Sequence, residues 1–161
     1  MSRDSGVYAL LIHAAASQCI AVGALGSHRF PRGFYVYIGS AKVGLRGRIA
    51  RHRRRNKRRH WHIDYLLQHA RPVAVATFCW QPDAECRLAR GASANGIGQA
   101  VVQGFGSSDC RCPTHLFRLP QRPPAAWTEH VFGTLPRGLR AQGVRCLKPS
   151  PKTRHVRRSR H

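Results

Sequence analysis

Acidic residues are scarce in this chain, which has six Asp and Glu against 28 Lys and Arg and a net charge of +22. A two-metal catalytic site normally needs several clustered carboxylates, and this sequence can hardly supply them. The six acids are Asp4, Asp64, Asp83, Glu85, Asp109 and Glu129. Such an excess of positive charge makes the compact state repel itself unless a polyanion is near. The composition therefore predicts nucleic acid as the partner, with a general arginine-rich proteome bias as the alternative.

Long apolar runs are also missing, because no stretch of 18 apolar residues occurs. The sequence therefore predicts no membrane-spanning helix. The beginning of the chain carries acid and lacks a signal-peptide cleavage pattern. We expect a cytoplasmic protein, associated with the nucleoid, whose six cysteines are reduced thiols.

The pattern of apolar residues predicts a single domain that mixes strands and helices. Strands are expected at 6–16, 19–22, 34–38 and 73–80, with a last strand-like piece at 115–117. Helices are expected from residue 45, over 61–70 and from 82–85, with Asp83 as the candidate cap. Three prolines follow Leu119, and from Lys148 the chain has almost only basic and small residues. We therefore divide it into a domain at 1–119 and a Pro-rich, then basic, disordered tail at 120–161.

Several short motifs occur in order between residues 6 and 119. The first two are Gly6-Val7-Tyr8 and Tyr35-Val36-Tyr37-Ile38-Gly39-Ser40-Ala41. They are followed by Arg48 and His52, by His60-Trp61-His62-Ile63-Asp64-Tyr65-Leu66-Leu67, by Glu85-Cys86, and by residues 104–112 before His115-Leu116-Phe117. This ordered set resembles the GIY-YIG nuclease superfamily. It is most similar to a subfamily that occurs alone or fused to an endonuclease III-like repair enzyme.

The resemblance implies an α/β (α+β) fold, in which a small antiparallel or mixed β-sheet is flanked by helices. It also implies cleavage of phosphodiester bonds with a single divalent metal, Mg²⁺ or Mn²⁺. The expected substrate is nucleic acid, and DNA is favoured over RNA. A DNA-repair glycosylase or endonuclease is then a candidate partner.

The resemblance further implies roles for five residues. Tyr8 and Tyr37 would flank the nucleophilic water, and Arg48 would contact the scissile phosphate. His52, one helical turn from Arg48, would assist proton movement, and Glu85 would hold the metal. Without the resemblance, the two tyrosines are more typical of strand packing, and Glu85 is equally typical of a helix start favoured by the helix dipole.

The sequence departs from the superfamily pattern in two places. The first two motifs are farther apart than in the superfamily pattern, by about the length of one strand. The asparagine that usually follows the glutamate in the active site has no clear match. Ser107, Ser108 or Asp109 is the candidate for that place.

The segment 46–59 contains nine Lys or Arg residues. Ordinary phosphate contacts could explain all of them. The candidates for nucleic-acid contact are Arg46, Arg51, Arg53, Arg54, Arg55, Lys57, Arg58 and Arg59. This segment equally suits the alternative function, a non-catalytic nucleic-acid-binding module that retains the nuclease fold.

A first competing metal motif is formed by His60, His62 and Asp64. Their spacing is similar to the opening of the metallo-β-lactamase zinc signature. A helix over 61–70 would keep the three off a common face, so we expect them to support the basic surface or the site.

A second competing motif is Cys110, Cys112 and His115, which could bind zinc with one more ligand such as Cys86. Three ligands in a short loop, with no matching pair elsewhere, are a weak signal. We expect these cysteines to be small core or turn residues, and zinc not to co-purify in stoichiometric amount.

Overall fold

The computed structural model describes residues 4–149. Its strands are Gly6–Ala14 (β1), Gln18–Ala21 (β2), Ser27–Phe30 (β3), Gly33–Ala41 (β4), Arg71–Phe78 (β5), Gln99–Ala100 (β6), Leu116–Arg118 (β7) and Ala141–Cys146 (β8). Its α-helices are Leu45–Arg53 (α1), His62–Leu66 (α2), Ala84–Ala94 (α3) and Trp127–Phe132 (α4). Within residues 4–149, no helix combines the length and apolarity that crossing a membrane requires.

Six strands form one sheet in the order β6-β7-β4-β1-β5-β8, and each neighbouring pair is antiparallel. The helices flank this sheet, so the predicted fold class is confirmed. β1 lies in the middle and pairs with β4 along its whole length. Both faces of β1 are covered, which explains why its sequence is a continuous apolar run rather than an alternating one.

The two faces of the sheet have separate cores, because successive side chains of a strand point to opposite sides. Tyr8 and Leu10 pack in the core that includes residues of α1, α2 and β3. Val7 and Ala9 pack in the core that includes residues of α3 and α4. Tyr8 therefore faces the helix that carries the basic segment.

The chain between β1 and β4 forms a hairpin outside the main sheet. In it β2, predicted at 19–22, pairs with β3, a strand that the sequence analysis did not predict. In β3 only Phe30 is fully buried, so the strand shows no apolar alternation. This hairpin accounts for the extra residues between the first two motifs.

The helix predicted over 61–70 is shorter in the structure, because α2 ends at Leu66. The N–H of Ala70 donates to the carbonyl of Leu66, and the chain turns directly into β5. Ile63, Leu66, Leu67 and Ala70 are nevertheless all buried. The predicted apolar face is present, and only the length of the helix was wrong.

The domain boundary expected at residue 119 differs from the structure. Trp127, Val131 and Phe132 of α4 are buried in the core of one sheet face, and β8 pairs with β5 at the sheet edge. The four-residue spacing of Trp127 and Val131 was a helical signal inside the predicted tail. Every side chain of β8 is exposed, so that strand has no apolar pattern to detect. Residues 150–161 of the predicted basic arm lie outside the described residues.

Candidate functional site

An open groove of about 330 Å³ lies beside β1 and β4, and we call it the central groove. It is lined by Tyr8, Tyr37, Gly39, Ser40, Arg48, His60, Trp61, His62, Glu85, Gly106, Ser108 and Asp109. Four of the five residues that the resemblance singled out are among them. The fifth, His52, is 2% exposed and lies behind Tyr8.

Tyr8 and His52 form a buried hydrogen-bonded pair. The Tyr8 hydroxyl lies 2.7 Å from His52 Nε2. Burial, followed by the charge of Lys57, lowers the pKa of His52 to about 3. Burial raises the pKa of Tyr8 well above its ordinary value, although nearby Arg48 opposes this rise. At neutral pH His52 is therefore an uncharged imidazole and Tyr8 an uncharged phenol, and the pair sets the direction of the Tyr8 hydroxyl.

Two glycines let both tyrosines reach the groove. A Cβ on Gly39 would lie 2.5 Å from the Tyr8 hydroxyl oxygen, closer than any real contact allows. Gly106 has φ +71°, and a Cβ there would lie 2.9 Å from the ring of Tyr37. Burial raises the pKa of Tyr37 well above its ordinary value, so this phenol is uncharged as well.

Arg48 is held over the groove by two contacts. Its Nη1 donates to the Ser40 carbonyl at 3.1 Å, and its guanidinium lies 4.1 Å from the ring centre of Trp61. The cation–π contact orients the flat guanidinium, which has five N–H donors in all. Sequence reasoning assigned no role to Trp61, although it lies in the quoted motif between the two histidines.

Glu85 lies in the first turn of α3 and is fixed through both carboxylate oxygens. Ser40 Oγ donates to Oε2 at 2.5 Å, and His115 Nδ1 lies 2.8 Å from Oε1. The Glu85 side chain is 26% exposed toward the groove. Asp83 is the N-cap residue of α3 as predicted, but its side chain makes no capping hydrogen bond. Ser40 was not among the predicted site residues, and His115 was named only as a candidate zinc ligand, although both lie in the ordered motifs.

Asp64 is fully buried and organises the chain between α1 and α2. Its carboxylate accepts two bonds from Arg51, at 2.7 and 2.8 Å, and one from each backbone N–H of His60 and Trp61. Burial raises the pKa of Asp64, but the bonds from Arg51, Trp61 and His60 outweigh it and hold that pKa below its usual range. Asp64 therefore supports the site by positioning Trp61, and Arg51 is an ion-pair partner rather than a free phosphate contact.

The other predicted basic contacts divide by exposure. Arg53 and Lys57 are half-buried, and Lys57 donates to the carbonyls of Arg51 and His52. The exposed members are Arg46, Arg54, Arg55, Arg58 and Arg59. His60 and Trp61 line the central groove, so the exposed arginines at 54–59 directly precede one of its walls in the chain.

The residues 60, 62 and 64 do not form a metal site. His62 Nδ1 accepts the N–H of Gly106 at 3.0 Å, while Asp64 is occupied by Arg51. Of the three candidates for the missing asparagine, Ser108 and Asp109 line the groove and are exposed. Ser107 is 5% exposed and is not among the lining residues.

A second group of reactive side chains lies directly behind Glu85. The ligand atoms of Cys86, Cys110, Cys112 and His115 all lie within 4.8 Å of one another. These four side chains could bind a metal ion, with Cys86 as the fourth ligand that the sequence analysis named; Cys110 and Cys112 lie in the loop before β7. The signal was already present in the sequence as the Cys-x-Cys-x-x-His spacing, but its fourth ligand comes from α3.

Fold and site together define a small α+β domain with a basic, tyrosine-lined groove and an adjoining thiol–imidazole cluster. The chain belongs to the family described as domain of unknown function DUF123, whose model matches residues 7–135. The match extends past the predicted boundary and includes α4. No curated protein and no solved structure matches the chain.

The His52 environment predicts a pH dependence of stability. The ordinary pKa of 6.5 falls to about 3 on folding, so the unfolded chain binds more protons between these values. The free energy of unfolding should therefore fall by up to about 4 kcal/mol as the pH drops from 6.5 toward 3. In urea titrations across that range, His52→Gln should flatten the slope, although His62, whose pKa burial also lowers, keeps part of it. The exposed His69→Gln should keep the wild-type slope; an equal slope in all three proteins would contradict this assignment.

Proposed function

We propose that the protein is a metal-dependent endonuclease of the GIY-YIG type that cleaves phosphodiester bonds of DNA. The observation that carries this proposal is the convergence of Tyr8, Tyr37, Arg48 and Glu85 in one open groove. These residues come from four different elements, β1, β4, α1 and α3. They supply the groups that phosphodiester cleavage needs, which are water-positioning hydroxyls, a fixed cation and a carboxylate.

In this mechanism the two tyrosines position the attacking water. The Tyr8 hydroxyl is hydrogen-bonded to neutral His52 Nε2, and this bond fixes the direction of the phenol oxygen at the groove. Because burial raises the pKa values of both tyrosines, they act as neutral hydrogen-bonding groups and not as preformed phenolates. Because its pKa is lowered to about 3, His52 stays an uncharged imidazole over the whole neutral range, so its role is to orient the Tyr8 hydroxyl and not to take up a proton.

Arg48 faces the phosphate in this mechanism. Its guanidinium is already oriented by Trp61 and Ser40, so little reorganisation accompanies the build-up of negative charge on the phosphoryl oxygens. Planar N–H donors match phosphate oxygens well. Arg48 thus stabilises the transition state more than the ground state.

Glu85 suits a hard divalent cation such as Mg²⁺ or Mn²⁺. Each of its oxygens accepts one hydrogen bond, which leaves lone pairs on a carboxylate that is partly exposed to the groove. A bound cation would neutralise phosphate charge and lower the pKa of an attacking water. In the described part of the chain, Glu85 and Asp109 are the two carboxylates that line the groove, so a single ion is the arrangement that it supports best.

DNA is the proposed substrate because of the charge of +22 and the exposed arginines that precede groove-lining His60 in the chain. A cytoplasmic, nucleoid-associated location and a DNA-repair partner follow from the same proposal. The second candidate function is a non-catalytic binding module. It is favoured by the lack of a clear match for the active-site asparagine, since no asparagine among residues 4–149 lines the groove and Ser107 is buried.

The deciding experiment is a cleavage assay on duplex, flap and branched DNA. Protein dialysed without chelator should nick at least one substrate when Mg²⁺ or Mn²⁺ is added, and none without it. If the protein binds all three DNAs but cuts none in either metal, the binding-module function replaces the nuclease.

Salt dependence of DNA binding should map the binding surface. Each phosphate contact contributes about 0.9 to the slope of log affinity against log salt. Replacing Arg54, Arg55 and Arg58 together by alanine should flatten the slope by about 0.9 per lost contact.

The matched control replaces three exposed arginines that lie together near His13, at the far end of β1 from Tyr8: Arg32, Arg71 and Arg122. This triple variant removes the same charge and should keep the wild-type slope. Equal flattening in both triple variants would mean that the protein binds through general charge and not through the arginines of the segment 54–58.

A further inference from the structure

We propose that Cys86, Cys110, Cys112 and His115 bind one Zn²⁺ ion in a closed tetrahedral site. All four ligand atoms lie within 4.8 Å of one another, as the ligands of a single ion must. Three thiolates and one imidazole are a structural zinc set, and four protein ligands leave no open position for a reactant. Thiolates also disfavour Mg²⁺, so this site is chemically distinct from the one proposed at Glu85.

The site joins α3 to the loop before β7, two parts of the fold that are also linked by the bond between His115 and Glu85. Cys86 lies in the first turn of α3, whereas the other three ligands lie in the segment 110–115 before β7. Between β6 and β7, residues 101–115 form neither helix nor strand. Loops of this length without regular structure are uncommon in compact domains unless they are functional or otherwise held in place. A metal ion at this point would link the loop to α3.

This loop, residues 101–115, also forms one wall of the central groove. Gly106 lies against the ring of Tyr37, and Ser108 and Asp109 line the groove. Backbone bonds close the base of the loop, from Gly104 N–H to Pro113 and from His115 N–H to Phe105. Cys110 and Cys112 lie inside the loop that these two bonds close. A zinc ion bound to them would therefore fix this wall of the groove.

His115 connects the zinc site to Glu85. Its Nε2 lies 3.5 Å from Cys110 Sγ, inside the cluster, while its Nδ1 lies 2.8 Å from Glu85 Oε1. With zinc on Nε2, the ring must carry its proton on Nδ1, which donates to the carboxylate. A carboxylate that holds a metal-bound histidine in this way commonly strengthens metal binding. Glu85 is then a positioning residue for zinc, and the zinc site in turn fixes the Glu85 side chain at the groove.

Binding balances as a simple exchange of protons for the ion. Three thiols lose their protons to solvent, and Zn²⁺ joins three thiolates and a neutral imidazole. No oxidant or reductant is needed. The cysteines are free in the structure, and a disulfide between two of them would remove the site.

Metal analysis of the full chain, purified without chelator or a metal-affinity step, tests the proposal. We expect one zinc per chain. Cobalt substitution should give the visible bands of tetrahedral Co²⁺ and the near-ultraviolet thiolate charge-transfer band. Cys110→Ser and Cys112→Ser should lose the ion, whereas Cys19→Ser and Cys79→Ser, outside the cluster, should keep it. No zinc, iron with visible absorption, or zinc loss in the control variants would overturn the proposal.

Wild-type protein offers a second measurement, in case the cysteine variants fold poorly. Titration with an organomercurial should release one zinc to a chromophoric chelator as the thiols of the cluster react. Zinc that leaves by gel filtration alone, before any thiol reacts, would count against a closed site. Neither measurement depends on DNA cleavage, so the zinc site and the nuclease can fail separately.

The role of Glu85 as a positioning residue has its own readout. Glu85→Gln should lower zinc affinity by about 10- to 100-fold, as losses of such hydrogen-bonding partners do, while the stoichiometry stays at one. Glu129→Gln on α4 should leave zinc affinity unchanged. Equal zinc affinity in the Glu85 and Glu129 variants would show that the bond to His115 does not support the metal.

Discussion

Arg48→Ala and Glu85→Gln should each lower DNA cleavage by about 100-fold or more while leaving DNA affinity close to that of the wild type. Loss of Arg48 removes a preorganised cation from the position of developing charge. The glutamine keeps the size of Glu85 but removes the charge proposed to hold Mg²⁺ or Mn²⁺. Binding should survive, because one charge is a small part of +22. Single-turnover cleavage and fluorescence anisotropy measure the two quantities.

Matched controls separate these effects from a general loss of charge. Arg122→Ala removes an exposed arginine at the other end of the sheet, and Glu129→Gln removes a carboxylate on α4. Both should cleave as the wild type does. Tyr8→Phe deletes one hydroxyl with little change in packing, and should lose cleavage as Arg48→Ala does.

Two outcomes would contradict the catalytic assignment. One is cleavage by Arg48→Ala and Tyr8→Phe at the wild-type rate, which would place the chemistry outside the central groove. The other is parallel loss of cleavage and DNA binding, which would make Arg48 a binding residue. Zinc content should be measured in Glu85→Gln, so that loss of zinc is not mistaken for loss of the catalytic metal.

Asp64→Asn should lower the free energy of unfolding by about 3–5 kcal/mol. The Asp64 side chain is 0% exposed and accepts four hydrogen bonds, two of them from Arg51. In asparagine an NH2 group replaces one carboxylate oxygen, and this group would face an N–H donor from which the oxygen now accepts a bond. Arg51 and nearby Lys57 would also lose the negative charge that balances theirs. Urea denaturation measures the loss without adding salt, which would screen the charges.

Asp83→Asn is the matched control, because Asp83 is 64% exposed and makes no capping bond. Its ion pair with Arg87 spans 3.9 Å at the surface, and such pairs contribute less than about 1 kcal/mol. A loss below about 1 kcal/mol in Asp64→Asn would mean that the Arg51 pair is solvated in solution. A contact other than the bond from its backbone N–H to Asp64 would then have to position Trp61.

Much of the fold could be predicted from local patterns. β1 and β4 are apolar runs bounded by glycine, and α1 and α3 begin where apolar residues recur at helical spacing. β3 and β8 could not be predicted, because exposed edge strands bury few side chains. Their positions depend on backbone hydrogen bonds to β2 and β5, which carry no signature in side-chain type.

Some residues of the candidate site could be identified from the sequence, and others could not. The ordered motifs were enough to select Tyr8, Tyr37, Arg48 and Glu85, because each lies in a short segment with a distinctive composition. Trp61 beneath Arg48 and the bond from Ser40 to Glu85 could not be selected. Those contacts join residues up to 45 positions apart, and only the packing of α1, β4 and α3 brings them together.

By itself, the sequence determined the basic charge, the mixed α+β class and the set of chemically active side chains, since these depend on composition and local spacing. The tertiary structure decided which of those side chains share a site. It separated Asp64 from metal chemistry by pairing it with Arg51, and it brought Cys86 to a loop that begins some 15 residues later. The physical reason is that ligand geometry is set by how α3 packs against the loop before β7, and that packing is the sum of long-range contacts that no local window contains.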